Sequence, residues 1–412
     1  MVLLLLAGAG LAHTFRRSHF HGLPGEAPRP PLSAAELAAL CGCALRPGHR
    51  VELLENGHDL FPRLWGDLAA ARRSITISMY YGESGEVTET LGRLLLDRVR
   101  EGVRVCFLYD PIGCRGIHRE YFAGLRGGGV AVHPFRPLRL STLGRWNSRM
   151  HARALVVDGA VGYTGGFSFS DRWRGTGDRP GHWREMDARF EGPAVHELQG
   201  GFAGLWLEAT GAVLSGDEFF APPLEAPDGT TAGVLFSTPG VGASAAERYF
   251  ATAIGTARER LWIRSGYFVP DPGLVRLLSR AAARGVDVRV LTASIRHTDI
   301  AVAYLAGRSR YRALLSAGVR VYEYQPSMMH AKTLVADGTW CSVGGINLDN
   351  RSQALNTEAT LLVWDAARAA EMEAAYREDL ELSREIRLED LRRDSVLRRL
   401  ETGLSASMWR VL

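Results

Sequence analysis

Two histidines, each two residues ahead of a basic side chain, recur along the chain at matched spacing. His151-Ala-Arg153 is followed by Asp158 and then Gly165-Gly166. His330-Ala-Lys332 is followed by Asp337 and then Gly344-Gly345. Histidine to aspartate is seven residues in both copies (151 to 158, 330 to 337), and histidine to the first glycine is fourteen (151 to 165, 330 to 344). The ten residues from Met150 and the ten from Met329 agree at seven positions. Paired histidines and paired cations suit phosphoryl transfer. One imidazole attacks phosphorus and the other protonates the departing alcohol, a contribution of about 10²–10⁴-fold. The cations neutralise the non-bridging oxygens in a preorganised, dry site. This chemistry needs no divalent metal, and no Asp/Glu cluster stands out to hold one, so no cofactor is expected.

Lys332 sharpens the reading. Of the 49 Lys and Arg residues it is the sole lysine. In a chain so biased to arginine, one lysine beside a histidine marks a place where a compact point charge is wanted rather than a planar fork. Each histidine also needs a partner for its second ring nitrogen, and a carboxylate does this best. Glu185, 34 residues after His151, and Glu358, 28 after His330, are the candidates, one within each copy. Asp158 and Asp337 lie five residues past the basic side chain, in the turn before Gly159 and Gly338, and read as charge-pairing structural residues. The Gly-Gly pairs permit close backbone approach, and their N–H groups are candidates to hold an anion.

The elements that carry these residues also repeat. Glu86–Arg100 has helical spacing, Gly102 ends it, and an alternating strand follows over 103–109. Leu274–Ala283, Gly285 and a strand over 286–291 repeat the order. The helix-ending glycine precedes its histidine by 49 residues in one copy (102 to 151) and 45 in the other (285 to 330). Such long-range self-similarity indicates duplication of a whole α/β unit. On a strand, residues two apart share a face, so each histidine and its basic partner point the same way. One composite site on a pseudo-two-fold axis is expected.

These residues resemble the phospholipase D superfamily, whose hallmark is two H-x-K-x4-D-x6-G-[GS] motifs. The second motif matches fully, with Asn347 and Glu358 in their places. Longer stretches are similar to bacterial cardiolipin synthases: SGYFVPDPGL from Ser265, the run from Tyr304 to Gly338, INLDNRS from Ile346, NSRMHARALVVDG from Asn147 and HWREMDARFEGPAV from His182. VELLENG from Val51 looks more like their short, anchor-poor members. The likeness covers about residues 50–390. The first motif departs twice, with Arg153 where the family has Lys and Ser168 where it usually has Asn. The resemblance implies two phospholipase D-like α/β/α sandwich domains. It also implies transphosphatidylation between phosphatidylglycerol molecules, with His151 as nucleophile and His330 as acid/base. Gly165, Gly166, Ser168, Gly344, Gly345 and Asn347 are then expected to line the substrate. Plain hydrolysis, or a nuclease of the same superfamily, is the alternative chemistry.

Size and composition set the frame. A chain of 412 residues predicts more than one domain. The expected division is an apolar segment and linker over 1–48, a first domain over 49–213, a linker over 214–230, a second domain over 231–385 and an amphipathic tail over 386–412. A net charge of +4 fits an anionic substrate or membrane face without demanding either, and is modest for a nucleic-acid binder. Five scattered cysteines indicate no disulfide framework and a reducing compartment. The apolar run Met1–Ala12 is shorter than the roughly 20 residues that span a bilayer. It reads as a membrane-touching segment or the remnant of a longer anchor. Residues 134–149 interleave Phe135, Leu138, Leu140, Leu143 and Trp146 with four arginines, a pattern suited to anionic lipid. Near the C-terminus Leu388, Leu391, Leu397, Leu400 and Leu404 form a stripe beside arginines, suited to a membrane or to the core. The expected partners are phosphatidylglycerol and anionic phospholipids at the cytoplasmic face of the cell membrane, with no nucleic acid.

Overall fold

The computed structural model describes residues 31–138, 146–224, 226, 229–240 and 242–410. The apolar run Met1–Ala12 and residues 139–145 of the 134–149 loop, with Arg139 and Arg145, lie outside the described residues.

The strands are β1 (Arg46–Glu55), β2 (Ser74–Met79), β3 (Arg104–Tyr109), β4 (Ala131–Pro134), β5 (Ala154–Val157), β6 (Val161–Gly165), β7 (Met186–Glu191) and β8 (Thr230–Ser237). They continue with β9 (Arg260–Ser265), β10 (Asp287–Ala293), β11 (Arg320–Tyr324), β12 (Lys332–Ala336), β13 (Trp340–Gly344), β14 (Glu358–Trp364) and β15 (Ser383–Ile386). They form one sheet in the order β15-β11-β10-β9-β12-β13-β14-β8-β1-β7-β6-β5-β2-β3-β4. The order shows the duplication directly. Outward from the β1–β8 junction, β7-β6-β5-β2-β3-β4 on one side is matched by β14-β13-β12-β9-β10-β11 on the other. Strand directions match as well: β2 is parallel to β3 and antiparallel to β5, as β9 is to β10 and β12.

Local sequence explains the repeated helices. In Glu86–Arg100, Val87, Leu91 and Leu95 recur every fourth residue and are buried. In Pro272–Ala283 the buried face is Leu274, Leu277, Leu278 and Ala281, and Asp271 caps the first turn through the N–H groups of Gly273 and Leu274. Gly102 (φ 87°) and Gly285 (φ 92°) then take the left-handed conformation that turns each helix into its strand. The helix Ala34–Cys41, begun by a Ser33–Glu36 capping box, packs Leu37 and Cys41 into the core of the second half, beside Leu235 and Phe250.

The larger apolar core crosses between the halves. Ile75, Phe107 and Leu155 of the first half belong to the same buried cluster as Met329, Leu361 and Tyr376 of the second. Asp379 adds a buried polar tie, accepting from Arg184 of the first half at 2.7 Å and from Arg264 of the second at 2.7 Å. Breaking one partner of such a tie would leave a buried charge uncompensated.

Candidate active site

Each histidine is carried just ahead of a strand, and each of these segments pairs with the opposite half. His151 N–H donates to the carbonyl of Thr357 at 2.9 Å, and His330 N–H donates to the carbonyl of Arg184 at 2.8 Å. The next residue after each acceptor is a glutamate, so this backbone pairing carries Glu358 to His151 and Glu185 to His330. The Nδ1 of His151 lies 2.8 Å from Glu358 Oε2, and the Nδ1 of His330 lies 2.6 Å from Glu185 Oε2. The expectation that each histidine is oriented within its own copy is therefore corrected. The physical reason is two isolated backbone bridges between the halves, Met150 with Thr357 and Arg184 with Met329.

Both histidines line one cavity of about 580 Å³, with Arg153, Asn347, Tyr80 and Tyr267 also on its wall. With each Nδ1 bonded to a carboxylate, Nε2 is the ring nitrogen left for a substrate. Arg153 is 2% exposed and gives two donors to the backbone, Nε to the Phe167 carbonyl at 3.2 Å and Nη1 to the His151 carbonyl at 2.7 Å. Its guanidinium lies 5.5 Å above the Tyr80 ring, whose edge meets the His151 imidazole at 4.7 Å. Lys332 is not among the side chains on the cavity wall. Its Nζ donates to the His330 carbonyl.

Charge in this buried cluster is unevenly held. Burial, then Arg153 and Lys332, keep His151 well below the ordinary imidazole value. Burial and Lys332 push His330 down to about 3 against the pull of Glu185. Burial lowers Lys332 to about 7, with Glu185 opposing and Arg153 reinforcing. Burial works to raise Glu185, but Lys332 and His330 hold it below its usual range. Burial pushes Glu358 well above that range, with Arg153 pulling against it.

The remaining expected site residues separate. Asp158 and Asp337 are not in the site. Both sit in left-handed turns (φ 54° each) at the far ends of β5 and β12. They pair with backbone rather than with charge: Asp158 accepts from the N–H groups of Arg72, Arg73 and Ser74, and Asp337 from those of Arg258, Glu259 and Arg260. The glycines are also corrected. Gly165, Gly166, Gly344 and Gly345 are absent from the cavity wall, and the Gly345 N–H is bonded to the Ala359 carbonyl. Their role is room. A Cβ on Gly166 would sit 2.4 Å from Glu185 Oε2, and one on Gly345 would sit 2.7 Å from Glu358 Oε2. Ser168 is buried off the wall, and its Oγ has no hydrogen-bond partner among the described residues. Asn347 is on the wall, its Oδ1 accepting from Tyr267 N–H at 3.4 Å.

The structure adds residues that the motif reading missed. Trp173 and Trp183 pack on His330 at 5.1 and 4.9 Å, and the Trp173 indole donates to Glu185 at 3.2 Å. Arg351 reaches the cavity from a π-helical turn, Arg351–Leu355, and holds Asn147 Oδ1 at 2.8 Å. Trp183 stands two residues before Glu185, a signal that could have found it. Among the described residues no group of three or more His, Cys, Asp or Glu side chains is placed to hold a metal ion.

Comparison with known proteins identifies the family. The family model described as "Cardiolipin synthase, PLD-like domain" matches residues 250–380. A cardiolipin synthase A of Pseudomonas aeruginosa is 36% identical over 358 residues, 86% of this chain and 71% of the relative. The chain belongs to the cardiolipin synthase family, a family of phosphatidyltransferases. A cardiolipin synthase of Geobacillus kaustophilus is 34% identical over 314 residues, 76% of this chain and 62% of the relative. The chain thus spans 62 to 71% of the length of these family members. A crystal structure of phosphatidylserine synthase from Haemophilus influenzae superposes with TM-score 0.67 at 13% identity. It covers 90% of this chain and 96% of that one and shows a shared fold. Among the described residues no helix is long and apolar enough to cross a membrane.

Proposed function

We propose that this chain is a cardiolipin synthase that transfers a phosphatidyl group from one phosphatidylglycerol to another and releases glycerol. The carrying observation is the crossed pair of His–Glu dyads, whose histidines line one cavity with Arg153. In the first step His151 Nε2 attacks phosphorus, the bond from phosphorus to the headgroup glycerol breaks, and protonated His330 gives its proton to that glycerol. In the second, a hydroxyl of another phosphatidylglycerol gives its proton to His330, its oxygen attacks phosphorus, and the bond to His151 breaks. Arg153 and Lys332 offset the phosphodiester charge, and that anion in turn favours the protonated form of His330.

Family resemblance supports His151 as the nucleophile. The opposite pushes on the two carboxyls, Glu185 downward by Lys332 and His330 against burial and Glu358 upward by burial, would suit the reversed roles.

The reaction is tested by incubating the purified chain with phosphatidylglycerol and following cardiolipin, phosphatidic acid and glycerol. Cardiolipin and glycerol in equal amounts are expected. Phosphatidic acid alone would make the chain a hydrolase, and plasmid cleavage without lipid turnover would overturn the lipid reading.

A further inference from the structure

The helix Val396–Ser405 is packed inside out. At 3.6 residues per turn, Val396, Leu397, Leu400 and Leu404 fall within about 100° of arc on one face. That face is in solvent: the four side chains are 73, 67, 60 and 78% exposed. The opposite face supplies the contact instead. Ser405 is buried and Arg398 half-buried, and the helix packs on Ala301–Ser316. An amphipathic helix on a globular protein normally buries its apolar stripe. Several exposed leucines on one face mark an interaction surface rather than scattered surface residues.

The helix is aimed at the cavity. Arg308 bonds Asp394 at 2.8 Å, and Arg398 acts electrostatically on Tyr304, so the two helices run antiparallel. The end of the tail, with Leu404 and the turn Ala406–Arg410, therefore packs toward the start of Ala301–Ser316. At that start Asp299, Ile300 and Ala303 line the cavity, while Ile300 and Val302 are themselves 39 and 36% exposed. Arg392, Arg393 and Arg399 are exposed on or just before the same helix. A cavity of about 580 Å³ is the size that takes a drug-sized ligand. It takes headgroups, and the acyl chains of two diacyl lipids must remain outside it.

We propose that the exposed face of Val396–Ser405, with Ile300 and Val302, rests in the surface of an anionic bilayer and sets the cavity mouth against the headgroups. The proposal rests on the phosphatidyl-transfer reading for the identity of the lipid. The leucines insert among the acyl chains and the arginines meet the lipid phosphates, the two contributions that hold interfacial helices.

The test is flotation of the full chain with phosphatidylglycerol vesicles and with phosphatidylcholine vesicles. The variant Leu397→Glu/Leu400→Glu/Leu404→Glu changes side chains that face solvent. Its binding to phosphatidylglycerol vesicles is expected to fall at least tenfold. Its turnover of vesicle substrate should fall in parallel, while turnover of short-chain phosphatidylglycerol dissolved as monomer stays unchanged. Leu400→Ser/Leu404→Ser serves if a thermal melt shows the glutamate variant misfolded. Arg392→Ser/Arg393→Ser/Arg399→Ser should weaken binding to the anionic vesicles only. Unchanged vesicle binding in the leucine variants would overturn the proposal. So would a solution dimer that those variants dissociate without loss of vesicle binding, since a second copy would then cover the face. If no phospholipid is turned over at all, flotation still reads this surface, so the two failures are distinguishable.

Discussion

His151 and Glu358, 207 positions apart and from different halves of the duplication, meet at 2.8 Å between Nδ1 and the carboxylate. Neither copy of the motif is therefore complete by itself. Glu358→Gln keeps the size of the side chain but cannot take up charge as the imidazole reacts. We expect kcat to fall about 10²–10⁴-fold with little change in KM, the signature of a group that acts on the reacting imidazole. A fall confined to KM would place Glu358 in substrate binding instead.

The glycines test the same geometry from the other side. Gly345→Ala places a methyl 2.7 Å from Glu358 Oε2, too close to be accommodated without moving the carboxylate away from His151. Turnover should drop at least about 100-fold in a chain that still melts cooperatively, as one misplaced group can cost that much. Unaltered turnover would mean that the dyad does not need this alignment.

Arg153 replaces the family lysine and is held by two backbone carbonyls and the Tyr80 ring. Arg153→Lys keeps the charge and can serve the His151 carbonyl, as Lys332 serves that of His330. It orphans the Phe167 carbonyl, a loss of about 1 kcal/mol. Turnover unchanged or higher with a slightly lower Tm is expected. Arg153→Met, which removes the charge, should lose at least about 100-fold.

Lys332 makes stability depend on pH. Its pKa is lowered from 10.5 to about 7, chiefly by burial. Below pH 7 it is charged in both states and the cost of burying that charge is full. Between about 7 and 10.5 the unfolded chain binds a proton that the folded chain has released, so stability gained relative to lower pH grows until the cost is gone. In urea unfolding, the stability of Lys332→Met minus that of the parent chain should therefore shrink from pH 7 to pH 9. A difference that grows over this window would contradict the shift.

The repeat was legible because its signals are local. The apolar runs Ala154–Val157 and Thr333–Ala336, and glycines at 102 and 285, need no knowledge of distant contacts. The glutamates were legible as candidates, but their pairing was not. Spacing along the chain does not show that the Arg184 and Thr357 backbones bridge to the opposite histidine segments. Asp158 and Asp337 looked like charge partners because their type suggests it, and only the turn geometry shows them bonding backbone N–H groups. Tyr80, Trp173 and Trp183 were not singled out, since an aromatic side chain carries the same pattern whether it faces the core or an imidazole. The leucine stripe at the C-terminus was visible, but periodicity cannot say which face a helix turns outward.

The most direct test of the central claim is to trap the covalent intermediate. The purified chain is mixed with phosphatidylglycerol, quenched within a single turnover at alkaline pH, digested and read by mass spectrometry. A phosphatidyl group on His151 is expected, with none formed by His151→Ala. An adduct on His330 would reverse the two roles. Cardiolipin formed with neither histidine ever modified would contradict the account.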